Sequence, residues 1–135
     1  MTLKIRVIAP DNIVWDADAE EIILPSSTGQ IGILTNHIPL LTAIDIGVMR
    51  VRKNKDWQPI ILLGGFAEVE SNKVTILVNG AEKISNINID EAQANLEKAT
   101  TILSNASTNL EKIQATQNLR KAKAKIQAAN VLNNL

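Results

Sequence analysis

The apolar period of this chain changes near Ser85, and that change limits what it can fold into more than any other feature. Ahead of it, Leu3, Ile5 and Val7 alternate with Lys4 and Arg6. Short apolar runs then recur at Ile13–Trp15, Glu21–Leu24, Leu40–Ile44, Val48–Arg52, Ile60–Leu63, Phe66–Glu70 and Lys73–Val78. Turn residues separate these runs: Pro10-Asp11-Asn12, Ser26–Gly29, Asn54-Lys55-Asp56, Gly64-Gly65 and Ser71-Asn72. Asn79-Gly80 closes the series as a strong hairpin signal. A period of two, broken this often by turns, predicts a β-sandwich of about ten short strands over residues 1–85. Beyond Asn88 the period lengthens. Ala92, Leu96, Ala99, Leu103 and Ala106 repeat at steps of four and three, and Ala115, Leu119, Ala122, Ile126 and Ala129 do the same. Each set is one helical stripe. Asp90 with Gln93, and Thr108 with Glu111, have capping-box spacing. A short polar turn between stripes of matched length predicts an antiparallel two-helix hairpin over residues 86–135. The fold class is thus β plus α, a β-sandwich followed by a helical hairpin.

The hairpin is thinly supplied with large side chains. Leu96, Leu103, Leu119 and Ile126 contribute roughly 1.5–3 kcal/mol each on burial. Ordering the backbone costs about 1–2 kcal/mol per residue, and a lone helix is marginal in water. The hairpin is therefore expected to depend on docking against something larger, and to change docking partner at low cost.

Composition removes several classes of function. Trp15, Trp57 and Phe66 are the whole aromatic set, too few for a base-stacking platform on single-stranded nucleic acid. Cysteine is absent, which excludes disulfides and thiolate chemistry, and the single His37 cannot build a multi-histidine metal site. No apolar run reaches the roughly 20 residues of a membrane span. The opening Met-Thr-Leu-Lys resembles neither a signal peptide nor a transit segment, so the chain is expected to work in the compartment where it is made. Gly64-Gly65 precedes a strand pattern rather than a helix with Lys-Ser or Lys-Thr, so it reads as a turn or bulge and not as a phosphate loop. Glu20 and Glu21 are neighbours on a strand and point to opposite faces, so they cannot share a substrate. Net charge is zero, yet acids outnumber bases in residues 1–85 and bases outnumber acids afterwards. Beyond Glu111 only Lys112, Arg120, Lys121, Lys123 and Lys125 are charged. That basic run reads either as a solvated helix face near its C-terminus or as a surface for an anionic protein.

The stretch Pro25–Leu41 reads as a bent strand between two turns. Ser26–Gly29 supplies turn chemistry, Gly32 marks a bulge or close backbone approach, and Asn36–Pro39 ends the ladder. Within it, G-Q-I-G-I-L-x-N-H-x-P-L spans Gly29–Leu40. This string resembles the N-terminal domain of the epsilon subunits of F-type ATP synthases, in the form found in chloroplasts and cyanobacteria. The same likeness extends to V-W-D at Val14–Asp16, E-I-I-L at Glu21–Leu24, D-I-G-V-M-R-V-R at Asp45–Arg52 and G-G-F-A-E-V at Gly64–Val69.

The resemblance implies a subunit without catalytic residues or cofactor. Such a subunit lies in the rotor stalk, bound to gamma and resting on the ring of c subunits. Ser27, Thr28, Gly29 and Gln30, with His37 and Leu41, would face the ring. No carboxylate or serine is placed to make His37 a catalyst. The hairpin would lie folded on the sandwich or extend beside gamma. When extended, its second helix would meet acidic loops of the catalytic beta subunits and suppress ATP hydrolysis, with Arg120, Lys121, Lys123 and Lys125 carrying the charge. Location would be the thylakoid membrane of a chloroplast, peripheral on the stromal side, or of a cyanobacterium on the cytoplasmic side. One departure stands out. Family members that bind ATP use I/L-D-x-x-R-A, whereas this chain has Ile89-Asp90-Glu91-Ala92-Gln93-Ala94. Gln93 replaces the cation that would meet phosphate, so no tight ATP site is expected. The rival expectation is a free-standing module whose basic hairpin grips nucleic acid or another anion. Steep salt dependence would mark it, but the neutral-to-acidic remainder of the chain weighs against nucleic acid.

Overall fold

The computed structural model describes residues 2–83 and 89–133. Eight strands and two helices follow one another among the described residues: β1 (Leu3–Ile8), β2 (Ile13–Ala19), β3 (Glu21–Ser26), β4 (Gly29–Ile33), β5 (Leu40–Lys53), β6 (Asp56–Glu70), β7 (Lys73–Val78), β8 (Ala81–Lys83), α1 (Ile89–Ser104) and α2 (Asn109–Asn133). The count is eight rather than about ten because β5 and β6, of 14 and 15 residues, each join two runs that the turn signals had separated.

These two long strands organise the body. Their antiparallel pairing keeps one register from Leu40↔Val69 to Lys53↔Asp56, on both sides of Asp45 and Gly64. The first half of β5 and the second half of β6 belong to a layer completed by β7, β1 and β2. The other halves belong to a layer completed by β3, β4 and β8. Gly64 and Gly65 lie inside β6 with φ of 91° and 152°. A Cβ on Gly65 would stand 2.0 Å from the Leu77 carbonyl oxygen, so only glycine allows β7 to approach there. The pair is a bend within a strand, not a turn between strands.

Asn79-Gly80 also differs from expectation. The residues after it return to β6 rather than to β7, and Leu62↔Ala81 continues the register of Gly65↔Val78. Asn79 N–H donates to the Gly64 carbonyl and Leu63 N–H to the Gly80 carbonyl, each at 2.9 Å. The dipeptide is a kink that carries one edge past the bend in β6. Local sequence reads the kink as a hairpin because both need the same permissive backbone.

Alternation sends one face of each layer inward. Leu3, Ile5, Val7, Ile22, Leu24, Ile33, Met49, Val51, Ile60, Leu62 and Ile76 are at most 1% exposed and form one cluster between the layers. The helices lie on the outer side of the second layer. Ala115, Ala122 and Ala129 are buried, and Leu119 and Ile126 half-buried, along the α1–α2 seam that the stripes predict. Ala124 and Ala128 lie off that stripe and cover Val48 and Ile61 of the body, with Leu63 beside them. Helix α2 therefore has two apolar edges, and the second was not legible because alanine barely differs from its neighbours in hydrophobic contrast. The capping box at α2 forms as expected. Thr108 Oγ1 accepts from Glu111 N–H at 3.1 Å, and Glu111 Oε2 accepts from Thr108 N–H at 3.4 Å and Ser107 N–H at 3.0 Å. Asp90 lies within the first turn of α1, where an acid favours the helix dipole, rather than ahead of it as a cap.

Candidate functional site

Two regions gather the residues that the sequence singles out. The first is the β3–β4 turn with the loop after β4. Ser26 is buried, and its hydroxyl shapes the turn: it donates to the Gly29 carbonyl at 2.6 Å and accepts from Thr28 N–H at 3.2 Å. That arrangement presents Ser27, Thr28, Gly29 and Gln30 to solvent. The Gln30 side-chain carbonyl accepts from Arg50 Nη2 at 3.1 Å, which steadies the tip. Ser27 N–H donates to the Ala43 carbonyl at 3.2 Å and ties the turn to β5, the strand that carries Leu41. His37 lies elsewhere. It belongs to the loop leaving the far end of β4, where Asn36, at φ 66°, donates its N–H to Asn72 Oδ1 at 2.6 Å. His37 Nδ1 is 2.7 Å from the Ile38 carbonyl, an exposed contact. His37 thus lies in the connection between β4 and β5, outside the Ser27–Gln30 turn. Among the described residues Ile38 and Leu41 are the most exposed large apolar side chains, at 75% and 73%.

The outer face of the first layer adds a feature that sequence reasoning missed. Ala43, Phe66, Leu77, Ile8 and Ile13 are successive cross-strand partners on β5, β6, β7, β1 and β2. Phe66, Leu77 and Ile13 are exposed, and Ile8 is half-exposed. Each is the outward residue of its own strand and unremarkable alone. Only the register aligns them into an apolar row across five strands. The row lies on the side of the body away from the helices, at the end where the Ser27–Gln30 turn attaches.

The second region is the basic helix. Successive residues turn by about 100°, so Arg120, Lys121, Lys123 and Lys125 cannot share one face. Arg120 points to the body, with Nη1 3.2 Å from Asp45 Oδ1. Lys121 and Lys125 line a cleft of about 260 Å³ between the helices, together with Lys98 of α1. Lys123 is exposed. Lys98 was not anticipated, because only pairing of the helices brings it beside Lys121. Among the described residues no group of three or more potential metal ligands occurs, and no helix is long and apolar enough to cross a membrane.

Comparison with known proteins agrees with this architecture. Residues 2–84 match the family model of the ATP synthase delta/epsilon chain β-sandwich domain, and residues 85–130 match that of the delta/epsilon chain long α-helix domain. The chain is 73% identical over 134 residues to the chloroplastic ATP synthase epsilon chain of Gracilaria tenuistipitata, covering 99% of this chain and 100% of that one. It is 57% identical over 132 residues to the ATP synthase epsilon chain of Thermosynechococcus vestitus, covering 96% of each. Among solved structures, a chain of the Euglena gracilis mitochondrial ATP synthase complex of OSCP, F1 and c-ring superposes with a TM-score of 0.82 at 20% identity. That alignment covers 96% of this chain and 81% of the other, and it speaks to fold. With both parts of the architecture matched and relatives aligned end to end, this chain belongs to the ATP synthase epsilon chain family.

Proposed function

We propose that this chain is the non-catalytic epsilon subunit in the central stalk of a proton-translocating ATP synthase, coupling c-ring rotation to the catalytic head and restraining ATP hydrolysis. The observation that carries the braking part is the way α2 is held. A helix with five cations lies on the body through two alanines and one exposed ion pair, a contact weak enough to exchange. Uncovering Val48 and Ile61 costs about 1.5–3 kcal/mol each, which a charged protein surface can offset. In this reading the division falls near Ser85, between a load-bearing β body (residues 1–85) and a helical arm (86–135). The junction lies outside the described residues, and the ends of the two family matches support it.

The exposed row of Ala43, Phe66, Leu77, Ile8 and Ile13 supports gamma as the partner along the body, since the opposite outer face is covered by α2. The Ser27–Gln30 turn, His37 and Leu41 are assigned to the c-ring, with His37 as a polar contact. Arg120, Lys121, Lys123 and Lys125 are assigned to acidic loops of the catalytic beta subunits. The chloroplastic and cyanobacterial relatives support a thylakoid location, peripheral on the side of the catalytic head. The rival nucleic-acid module has no support in the family match. Neutralising Lys121, Lys123, Lys125 and Arg120 together is expected to raise ATP hydrolysis by the reconstituted complex while leaving assembly intact. Unchanged hydrolysis would reduce the basic run to a solvated face.

A further inference from the structure

We propose that the Arg120–Asp45 ion pair is a latch that helps set the register of α2 on the body and withholds Arg120 from acidic partners while the arm is docked. The proposal rests on the braking reading for its consequence, but not for its geometry. Three observations carry it.

First, the pair joins the two parts of the molecule. Asp45 lies at the midpoint of β5, where the strand passes from one layer to the other, and Arg120 lies on α2 with its Nη1 3.2 Å away. Asp45 Oδ1 also accepts Ile46 N–H at 2.9 Å, so its orientation is fixed by the strand itself. Second, the rest of the interface is aliphatic. Ala124 and Ala128 against Val48, Ile61 and Leu63 supply contact without direction. A helix shifted along its axis by one turn would bring Arg120 or Leu132 towards Val48 and Ile61 and would also part Arg120 from Asp45, so small side chains and the ion pair select the same register. Third, among the described residues Arg120 alone of the four cations has a carboxylate partner. Lys121, Lys123 and Lys125 are available in the docked arm, and Arg120 is not. A guanidinium held on Asp45 must leave it to meet an incoming carboxylate, so docking and capture by an acidic surface compete for the same side chain.

The pair is half exposed, at 54% for Arg120 and 44% for Asp45. Its contribution is that of a surface pair, small and sensitive to salt. Small is what a latch released by a partner requires.

The test is hydrogen exchange on the full chain, following α2 amides with β7 amides as the internal reference. D45N keeps an acceptor for Ile46 N–H and removes only the charge. Exchange in the central turns of α2 is expected to rise roughly two- to five-fold in D45N. It should rise further in D45K, where like charges face each other, and return towards the original in the double variant D45K/R120E. Protection of β7 should not change. Unaltered α2 exchange in D45K, or no rescue by the charge swap, overturns the latch. Should D45K lower β7 protection, R120E alone decides, because it leaves the body untouched: faster α2 exchange supports the proposal and unchanged exchange overturns it. Failure here is separable from failure of the brake. A latch that opens in D45N, in a complex whose hydrolysis ignores Lys121, Lys123 and Lys125, would leave the latch standing and remove the brake.

Discussion

The β body and the helical arm are built from the same apolar alphabet but spend it differently. In the body, large branched side chains from both layers meet in one cluster, and many are wholly buried. Among the described residues of the arm the buried positions are alanines, and Leu96, Leu103 and Leu119 are half-buried. A buried Leu or Ile brings several times the apolar area of an alanine methyl. The body is therefore expected to be stable in its own right, and the arm to borrow its order from the body. The lesson is that a weak interface need not be polar. One made of alanines is snug and still costs little to leave.

Three sets of measurements should break or sharpen that contrast. The largest effect is expected in the body. Leu62→Ala removes a fully buried side chain from the shared cluster and should lower global stability by about 2–5 kcal/mol in urea unfolding. The same truncation at half-buried Leu103 should cost about 1 kcal/mol and appear only in the helical signal. Equal losses with one common transition would show that body and arm are a single cooperative unit. Next, Ala128→Glu places a charge at a site with no exposure, against Ile61 and Val48. It should speed α2 amide exchange by about ten-fold or more while the urea midpoint read from Trp57 barely moves; a large drop in that midpoint would count against an arm that can leave. The smallest effect lies at the turn between the helices. Hydrogen bonds from the Ser107 and Thr108 backbone and the Ser107 hydroxyl hold the Glu111 carboxyl below its ordinary value of 4.5. A carboxyl lowered in the folded state stabilises it above its unfolded pKa and loses that contribution as pH falls through the lowered value. The helical signal of α2 should weaken below about pH 4, and Thr108→Ala should remove about 1 kcal/mol from the same turn. A helical signal flat from pH 6 to 3 would leave the capping box without a measurable role.

Much of this was legible in the residues. The period of two, the period of 3.6 and the Thr108–Glu111 box each act locally, and each appears where the spacing puts it. What stayed hidden depends on register between distant segments. Gly64-Gly65 and Asn79-Gly80 announce special backbone, but whether such a pair ends a strand or bends it is decided by the partner strand. The outer apolar row exists only once five strands are aligned. Ala124 and Ala128 gave no signal because a second apolar edge on one helix cancels the asymmetry that periodicity detects. Arg120 stood among the basic residues singled out, yet its link to Asp45 spans 75 positions and no spacing rule reaches that far. The Ser27–Gln30 turn was legible as a turn, but its tie to Ala43 of β5 was not.

Two ribbons, β5 and β6, run unbroken through both layers of the body. In a sandwich whose layers meet only through side chains, a sideways load makes one layer slide over the other. Here such sliding would have to stretch covalent backbone at the bend. A twisting force applied at the Ser27–Gln30 end should therefore reach the opposite layer with little slack, which suits a part that must turn with its neighbours rather than yield to them.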